Sequence, residues 1–189
     1  AWQPFLKTSP KFVEYLAALY SFAGEYFKAQ LLLDQNKNSI FYLQTAYPQA
    51  FSQQMIEKTN NQIPAPSLMW ALMRQESAFR PEVISPSDAI GLLQLTLPTA
   101  SKTMGKPIDS ETLLDKGSNI EIGKRVVASL LSQFKGEKRL AIASYNAGEE
   151  LVAHWRSFLP DLDIELFVEL IPYGETRRYT KAVYKNYLV

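Results

Sequence analysis

Apolar and polar positions follow a helical period over much of the chain. Between residues 11 and 33 the apolar side chains recur every three or four positions, which predicts one long amphipathic helix or two helices broken near Gly24. A shorter helix is expected to begin at Ser39. The pattern stops at Pro48, because proline disfavours a helical conformation at the residue before it.

Helical patterns resume after a proline-marked polar stretch. Pro66 suits the first turn of a helix that is expected to run to about Ala78 with apolar residues spaced by four. The segment SNIEIGKRVVASLLSQF begins with Ser118 and Glu121 in capping-box spacing, which predicts the start of another helix. Further helices are thus expected in the second half of the chain.

The C-terminal part of the chain also has the pattern of α-helices. KRLAIASYNAG is typical of a short, mostly buried helix that ends at Gly148, and two more helices are expected near residues 164–170 and 175–188. No run of alternating apolar and polar residues stands out. The sequence therefore predicts a mainly α fold.

Composition excludes several classes of function. Lys plus Arg is 20 against 19 for Asp plus Glu, so the formal charge of +1 offers no field for binding nucleic acid. The chain has no cysteine and a single histidine, which argues against thiolate or histidine-rich metal centres. No apolar run approaches the roughly 18 residues of a membrane span, and an export signal is expected to have been removed or to lie outside this chain.

Glu76 stands where the apolar stripe of the Pro66 helix would otherwise continue. One interpretation is a glutamate in the last turn that faces solvent or pairs with Arg74 or Arg80. The other is a carboxyl sheltered by apolar neighbours, whose raised pKa would keep it protonated and able to donate a proton near neutral pH. The blocks around it favour the second interpretation.

Those blocks resemble a known family. MRQESAFRP, SPSDAIGLLQLTLPTA, NIEIGKRVVASLLSQF, LAIASYNAG and ELIPYGETRRYTKAVYKNY occur in the order found in the catalytic domain of the soluble lytic murein transglycosylases. The resemblance implies a lysozyme-like α domain at residues 61–189. Residues 1–60 resemble the end of the helical superstructure and the linker that precede this domain in larger members.

What the resemblance implies for function is specific. Such a domain cleaves the β-1,4 bond between N-acetylmuramic acid and N-acetylglucosamine without consuming water and leaves a 1,6-anhydro ring. Ordinary glycosidases need two carboxyls. Here Glu76 alone would protonate the glycosidic oxygen and then take a proton from the muramic acid C6 hydroxyl. Because that hydroxyl belongs to the same sugar, it attacks at a high effective molarity and no activated water is needed.

Matching the motifs residue by residue implies substrate-binding roles for Ser85, Gln94, Tyr145, Asn146, Tyr173, Glu175 and Arg177. Tyr145 would hydrogen-bond near Glu76 or the substrate N-acetyl group, and Tyr173 and Tyr179 would stack on sugar rings. Structural alternatives stay open: a Ser-Pro turn for Ser85, bonding to backbone for Gln94, helix capping for Asn146 and Glu175, and core packing for the two stacking tyrosines.

Departures from the family pattern keep two other functions in view. Asp88 replaces a small residue, and as a second carboxylate near Glu76 it would permit lysozyme-like hydrolysis. Glu149 and Glu150 follow SYNAG in place of the usual Pro-Gly pair. A glycan-binding scaffold without turnover is the third hypothesis, with the N-terminal helices docking a cell-wall protein.

The resemblance also implies the surroundings of the reaction. The expected partner is the peptidoglycan glycan strand, and neither a metal nor an organic cofactor is required. We expect a monomer in the periplasm or cell envelope.

Overall fold

The structure, a computed structural model, describes residues 9–33, 42–57 and 64–189. Strand pairing within these residues is limited to isolated antiparallel bridges that join Ile84 to Ile90 and Ile90 to Leu95. The predicted mainly α class is confirmed. The described helices are α1 Pro10–Phe22, α2 Tyr26–Leu33, α3 Tyr42–Ala46, α4 Ser52–Glu57, α5 Pro66–Glu76, α6 Leu97–Met104, α7 Ser110–Leu114, α8 Lys116–Gln133, α9 Lys138–Ala147, α10 Glu149–Ser157, α11 Ile164–Glu169 and α12 Gly174–Leu188.

The N-terminal helices follow the predicted break. Gly24 has φ +78° and separates α1 from α2, so the two-helix alternative is confirmed. Helix α3 ends at Ala46, just before Tyr47 and Pro48. The predicted helix start at Ser39 and the predicted domain boundary between residues 60 and 61 lie outside the described residues.

The largest of the three buried apolar clusters among the described residues is built around α5. Helix α5 buries Leu68, Met69, Leu72 and Met73 almost completely, and it packs along α12, which in turn contacts α9. Residues of the N-terminal part, including Met55 of α4, belong to the same buried cluster. The segment before α5 therefore packs directly on the core that supports Glu76.

Two predicted helix ends are wrong by a few residues. Helix α5 stops at Glu76 instead of Ala78, because Ala78 and Phe79 have φ values of +49° and +63° and leave the right-handed helical region. Helix α8 begins at Lys116 with Asp115 as its cap, and the Asp115 side chain accepts from the Ser118 backbone N–H at 2.8 Å. Ser118 thus lies inside the helix that it was expected to cap.

Four short helices were not predicted: α4, α6, α7 and α10. Short helices are marginal by themselves and depend on packing, so periodicity over so few residues gives little signal. The remaining helices match the predicted segments closely. Among the described helices, none combines the length and the apolar character needed to cross a membrane.

Candidate active site

Glu76 ends α5 at a sharp turn of the backbone. Ser77 follows it as the C-cap, and the buried Ser77 hydroxyl donates to the Leu92 carbonyl at 2.9 Å. Phe79, two residues on, is also buried. Ser77 and Phe79 therefore fix the turn, and the Glu76 carboxyl lies half-buried at the end of α5.

The carboxyl group is bonded by a tyrosine of the last helix. The Tyr179 hydroxyl donates to Glu76 Oε1. Burial raises the pKa of Glu76 from 4.5 to about 7, and the hydrogen bond from Tyr179 opposes part of that rise because it stabilises the carboxylate. A carboxyl with this pKa exists in both protonation states near neutral pH, which suits a group that must first give and then accept a proton.

Two tyrosines border this carboxyl. Burial raises the pKa of both Tyr145 and Tyr179 well above the ordinary value, and the negative charge of Glu76 adds to each shift. Both phenols therefore stay neutral donors at physiological pH. The Tyr145 hydroxyl donates at 2.6 Å to the Leu93 carbonyl, so Tyr179 provides the hydrogen bond to Glu76 that the sequence analysis considered for Tyr145.

Asn119, a buried residue of α8, holds the loop GLLQL by hydrogen bonds to its backbone. This buried amide accepts from the Leu93 N–H at 3.0 Å and donates to the carbonyls of Ile90 and Leu113 at 3.0 and 2.8 Å. A Cβ at Gly91 would lie 2.4 Å from Asn119 Nδ2. The loop thus needs a glycine at this point, and the Tyr145 acceptor at Leu93 is held in place through Asn119.

Gln94 is oriented by the backbone of the same region. Its φ is +46°, and its amide nitrogen donates to the carbonyls of Val83 and Gly91 at 3.0 and 2.9 Å. This is the bonding to backbone that was kept open as an alternative. Because both amide hydrogens are occupied, the side-chain carbonyl oxygen is the group that Gln94 can offer to a ligand.

Ser85 and Asp88 belong to a turn of the preceding loop. Ser85 Oγ accepts from the backbone N–H groups of Ser87 and Ala89 at 3.2 and 3.1 Å. Asp88 is exposed with φ +58°. No hydrogen bond joins Asp88 to Glu76 within the described residues, where the Glu76 carboxyl accepts from Tyr179.

The remaining predicted residues surround the start of α12. Asn146 Oδ1 accepts from the Thr176 hydroxyl at 2.7 Å, which connects the end of α9 to the last helix. Arg177 Nη1 donates to the carbonyls of Glu169 and Ile171 at 3.2 and 3.3 Å. These contacts hold the framework that positions Tyr179.

Two residues at this end of the molecule face outward. Glu175 is exposed in the first turn of α12, where a negative charge is favourable. Tyr173 is 56% exposed, and its ring meets Trp155 edge to face at 5.1 Å. Tyr173 therefore has a ring supported from one side that remains accessible to a ligand.

Sequence reasoning missed two residues of this site. Tyr179 was considered only for stacking or core packing, although its place on the buried stripe with Thr176, Thr180 and Val183 points it inward. Asn119 was not considered, although an amide within the apolar start of α8 signals a buried polar network.

This fold and site agree with a known family. Residues 53–167 match the sequence model described as the Transglycosylase SLT domain. The chain belongs to this family, as its motif blocks predicted.

Relatives with known names include lytic murein transglycosylases. The chain is 30% identical to the soluble lytic murein transglycosylase of Escherichia coli (strain K12), with 96% of this chain and 29% of that protein covered. It is 31% identical to the membrane-bound lytic murein transglycosylase C of Yersinia pestis (strain Pestoides F), with 64% and 42% covered. The chain thus spans less than a third of the length of the soluble relative.

Solved structures show the same fold. The 70 kDa soluble lytic transglycosylase of Escherichia coli matches with a TM-score of 0.86 and 29% identity, over 98% of this chain and 31% of that one. An inactive glutamate-to-glutamine mutant of the lytic transglycosylase Slt from Pseudomonas aeruginosa matches with a TM-score of 0.77 and 31% identity, over 90% and 28%. The predicted lysozyme-like α fold is confirmed by these matches.

Proposed function

We propose that this chain cleaves the β-1,4 bond between N-acetylmuramic acid and N-acetylglucosamine in peptidoglycan, as a lytic transglycosylase. The observation that carries the proposal is the half-buried carboxyl of Glu76, whose pKa is about 7 and which accepts a hydrogen bond from Tyr179. Membership of the SLT family and the names of the relatives support it.

The first step uses the protonated carboxyl. Glu76 gives its proton to the glycosidic oxygen, the bond from that oxygen to C1 of the muramic acid breaks, and positive charge develops at C1. The leaving sugar departs with a new hydroxyl. Burial keeps Glu76 protonated at a pH where a solvated glutamate would be ionised, so the fold itself supplies the acid.

The second step returns the proton. The Glu76 carboxylate accepts the proton of the C6 hydroxyl while O6 forms a bond to C1, which closes the 1,6-anhydro ring and regenerates the acid. The hydrogen bond from Tyr179 stabilises the carboxylate between the two steps. No water enters the product, and the attacking oxygen is already part of the same sugar.

Hydrolysis would need a second carboxyl at a defined distance from the first. The exposed position of Asp88, in the turn that Ser85 closes, argues against that residue as the partner. We therefore propose ring closure in place of hydrolysis as the outcome.

Substrate contacts are assigned from the groups that remain available. The carbonyl oxygen of Gln94 can accept from a sugar hydroxyl or an N-acetyl N–H, and the exposed ring of Tyr173 offers a stacking face. Ser85, Tyr145, Asn146, Glu175 and Arg177 remain proposed groove residues. For Ser85 and Arg177, contacts with the backbone favour a structural role beside any role in binding.

The surroundings follow from the substrate. Relatives are named for murein, a polymer of the cell envelope, and we propose the periplasm or cell envelope as the location. We further propose that the chain acts as a monomer and that its N-terminal helices, which expose Phe22 and Leu19, can contact a cell-wall protein.

Digestion of purified peptidoglycan tests the proposal. Mass spectrometry should find muropeptides with 1,6-anhydro ends after treatment with the wild-type chain and none after treatment with Glu76→Gln. Asp88→Asn should behave as wild type. Reducing ends as the main product, or activity that survives Glu76→Gln, would contradict the proposal.

A further inference from the structure

A polar cleft of about 440 Å³ lies beside α5. The N-terminal helices border this open cleft on one side, and α5 and α12 border it on the other. Glu76 is not among its lining residues. The lining includes Gln30, Tyr47, Arg74, Gln75, Lys185 and Asn186.

The cleft carries positive charge without a balancing acid. Arg74 and Lys185 line it, and no acidic side chain does so among the described residues. Neither Arg74 nor Lys185 forms an ion pair with a described residue. By contrast, Lys181, one turn before Lys185, pairs with Glu169. Such a lining favours a negatively charged ligand with several hydrogen-bond acceptors.

Arg74 is held ready for a ligand. Its guanidinium lies over the Tyr47 ring at 4.6 Å, and Nη1 donates to the Ala46 carbonyl. Nε and Nη2 have no protein acceptor within the described residues. A guanidinium fixed on two sides with free N–H groups is suited to bind a planar carboxylate at little further entropic cost.

Gln30 provides an independent observation. The residue is only 8% exposed, and its amide nitrogen is buried without a hydrogen-bond partner. A buried donor without an acceptor destabilises a fold, and native structures usually satisfy such a group with a further partner. Because the terminal torsion of glutamine is soft, the amide can turn towards a ligand in the cleft.

We propose that this cleft binds the carboxylate group of a ligand at a site separate from Glu76. Arg74 and Lys185 would bind the charge, and Gln30 would donate to an oxygen of the same ligand. The volume falls in the range of small-molecule sites and admits the end of a short peptide. The shared chemistry is the carboxylate, from either a peptide terminus or a free small acid.

Calorimetric titration with the peptide diacetyl-L-Lys-D-Ala-D-Ala and with its C-terminal amide tests this site. The acid should bind, and the amide should bind at least tenfold more weakly. Lys185→Met and Gln30→Met should each weaken binding of the acid several-fold, and the matched control Lys181→Met should not. Competition by succinate would identify free acids as ligands, and a lack of competition would identify the peptide.

The fold of each variant can be checked separately. Gln30→Met removes the unsatisfied amide at similar volume, so its midpoint of thermal unfolding should not fall. Glu76→Gln should bind the peptide as wild type does, so that a failure of catalysis and a failure of this site are distinguishable. No binding of the acid, equal binding of acid and amide, or unchanged binding by Lys185→Met and Gln30→Met would overturn the proposal.

Discussion

Replacement of Glu76 by glutamine should stabilise the fold at alkaline pH and have little effect at acidic pH. Glutamine keeps the shape of the side chain and an oxygen that can accept from Tyr179, but it cannot ionise. The substitution therefore removes the cost of burying a carboxylate and leaves the packing of α5 intact.

The magnitude follows from the pKa of Glu76 in the two states. Its folded value is about 7, against 4.5 for an unperturbed glutamate. Below pH 4.5 the carboxyl is protonated in both states and costs nothing. Between pH 4.5 and 7 the unfolded chain ionises first, so stability falls with rising pH until the full penalty of about 3 kcal/mol is reached above pH 7.

Urea unfolding at several values of pH from 4.5 to 8.5 measures this difference directly. The free energy of unfolding of Glu76→Gln should exceed that of the wild type by about 3 kcal/mol at pH 8.5 and by close to zero at pH 4.5. Glu82→Gln, which alters an exposed glutamate, serves as control and should show no such rise. A constant difference across the range, or a variant less stable at pH 8.5, would refute the burial argument.

Three further substitutions test the framework around the site. Tyr179→Phe removes the hydrogen bond that lowers the pKa of Glu76, so the alkaline limb of the pH profile of activity should move to higher pH while activity falls. Asn119→Ala removes the acceptor of the Leu93 N–H and a donor to each of the carbonyls of Leu113 and Ile90, of which Ile90 keeps the Leu95 N–H. The substitution should reduce the free energy of unfolding, on the order of 2–4 kcal/mol in urea titration. Gly91→Ala should also destabilise the fold, because its Cβ would meet Asn119 and the Leu113 carbonyl.

Matched variants separate these effects from general damage. Tyr184→Phe alters a tyrosine of the same helix that lies beside Arg139 and should leave the pH profile unchanged. Gly105→Ala introduces a similar strain at φ +66° without any atom within 4 Å of the new Cβ. If Gly105→Ala lowers the unfolding midpoint as much as Gly91→Ala does, the steric contact at Gly91 does not contribute to the loss of stability.

The helices that could be predicted are those with strong local signals. Pro66 and the four-residue spacing of Leu68 and Leu72 define α5, and glycines mark the break at Gly24 and the end at Gly148. The short helices α4, α6, α7 and α10 were not predicted, because they depend on tertiary packing and on local caps such as Thr96 before α6.

The site likewise contains residues that the sequence reveals and residues that only the folded structure brings together. Glu76 could be proposed because a carboxyl stands on an apolar stripe and because the motif blocks around it favour a sheltered acid over a solvent-facing glutamate. Its partner Tyr179 lies 103 residues further along the chain, and only the packing of α12 against α5 brings the two together. The roles of Tyr145 and Gln94 depend likewise on the loop that Asn119 fixes, which no local pattern reveals.

The central claim is that a single carboxyl closes the product ring without water. Digestion of purified peptidoglycan in water enriched in oxygen-18 tests it most directly, with mass spectrometry of the released muropeptides. The account predicts anhydro products that contain no label at C1. Incorporation of one labelled oxygen per cleaved bond would show hydrolysis and contradict the account.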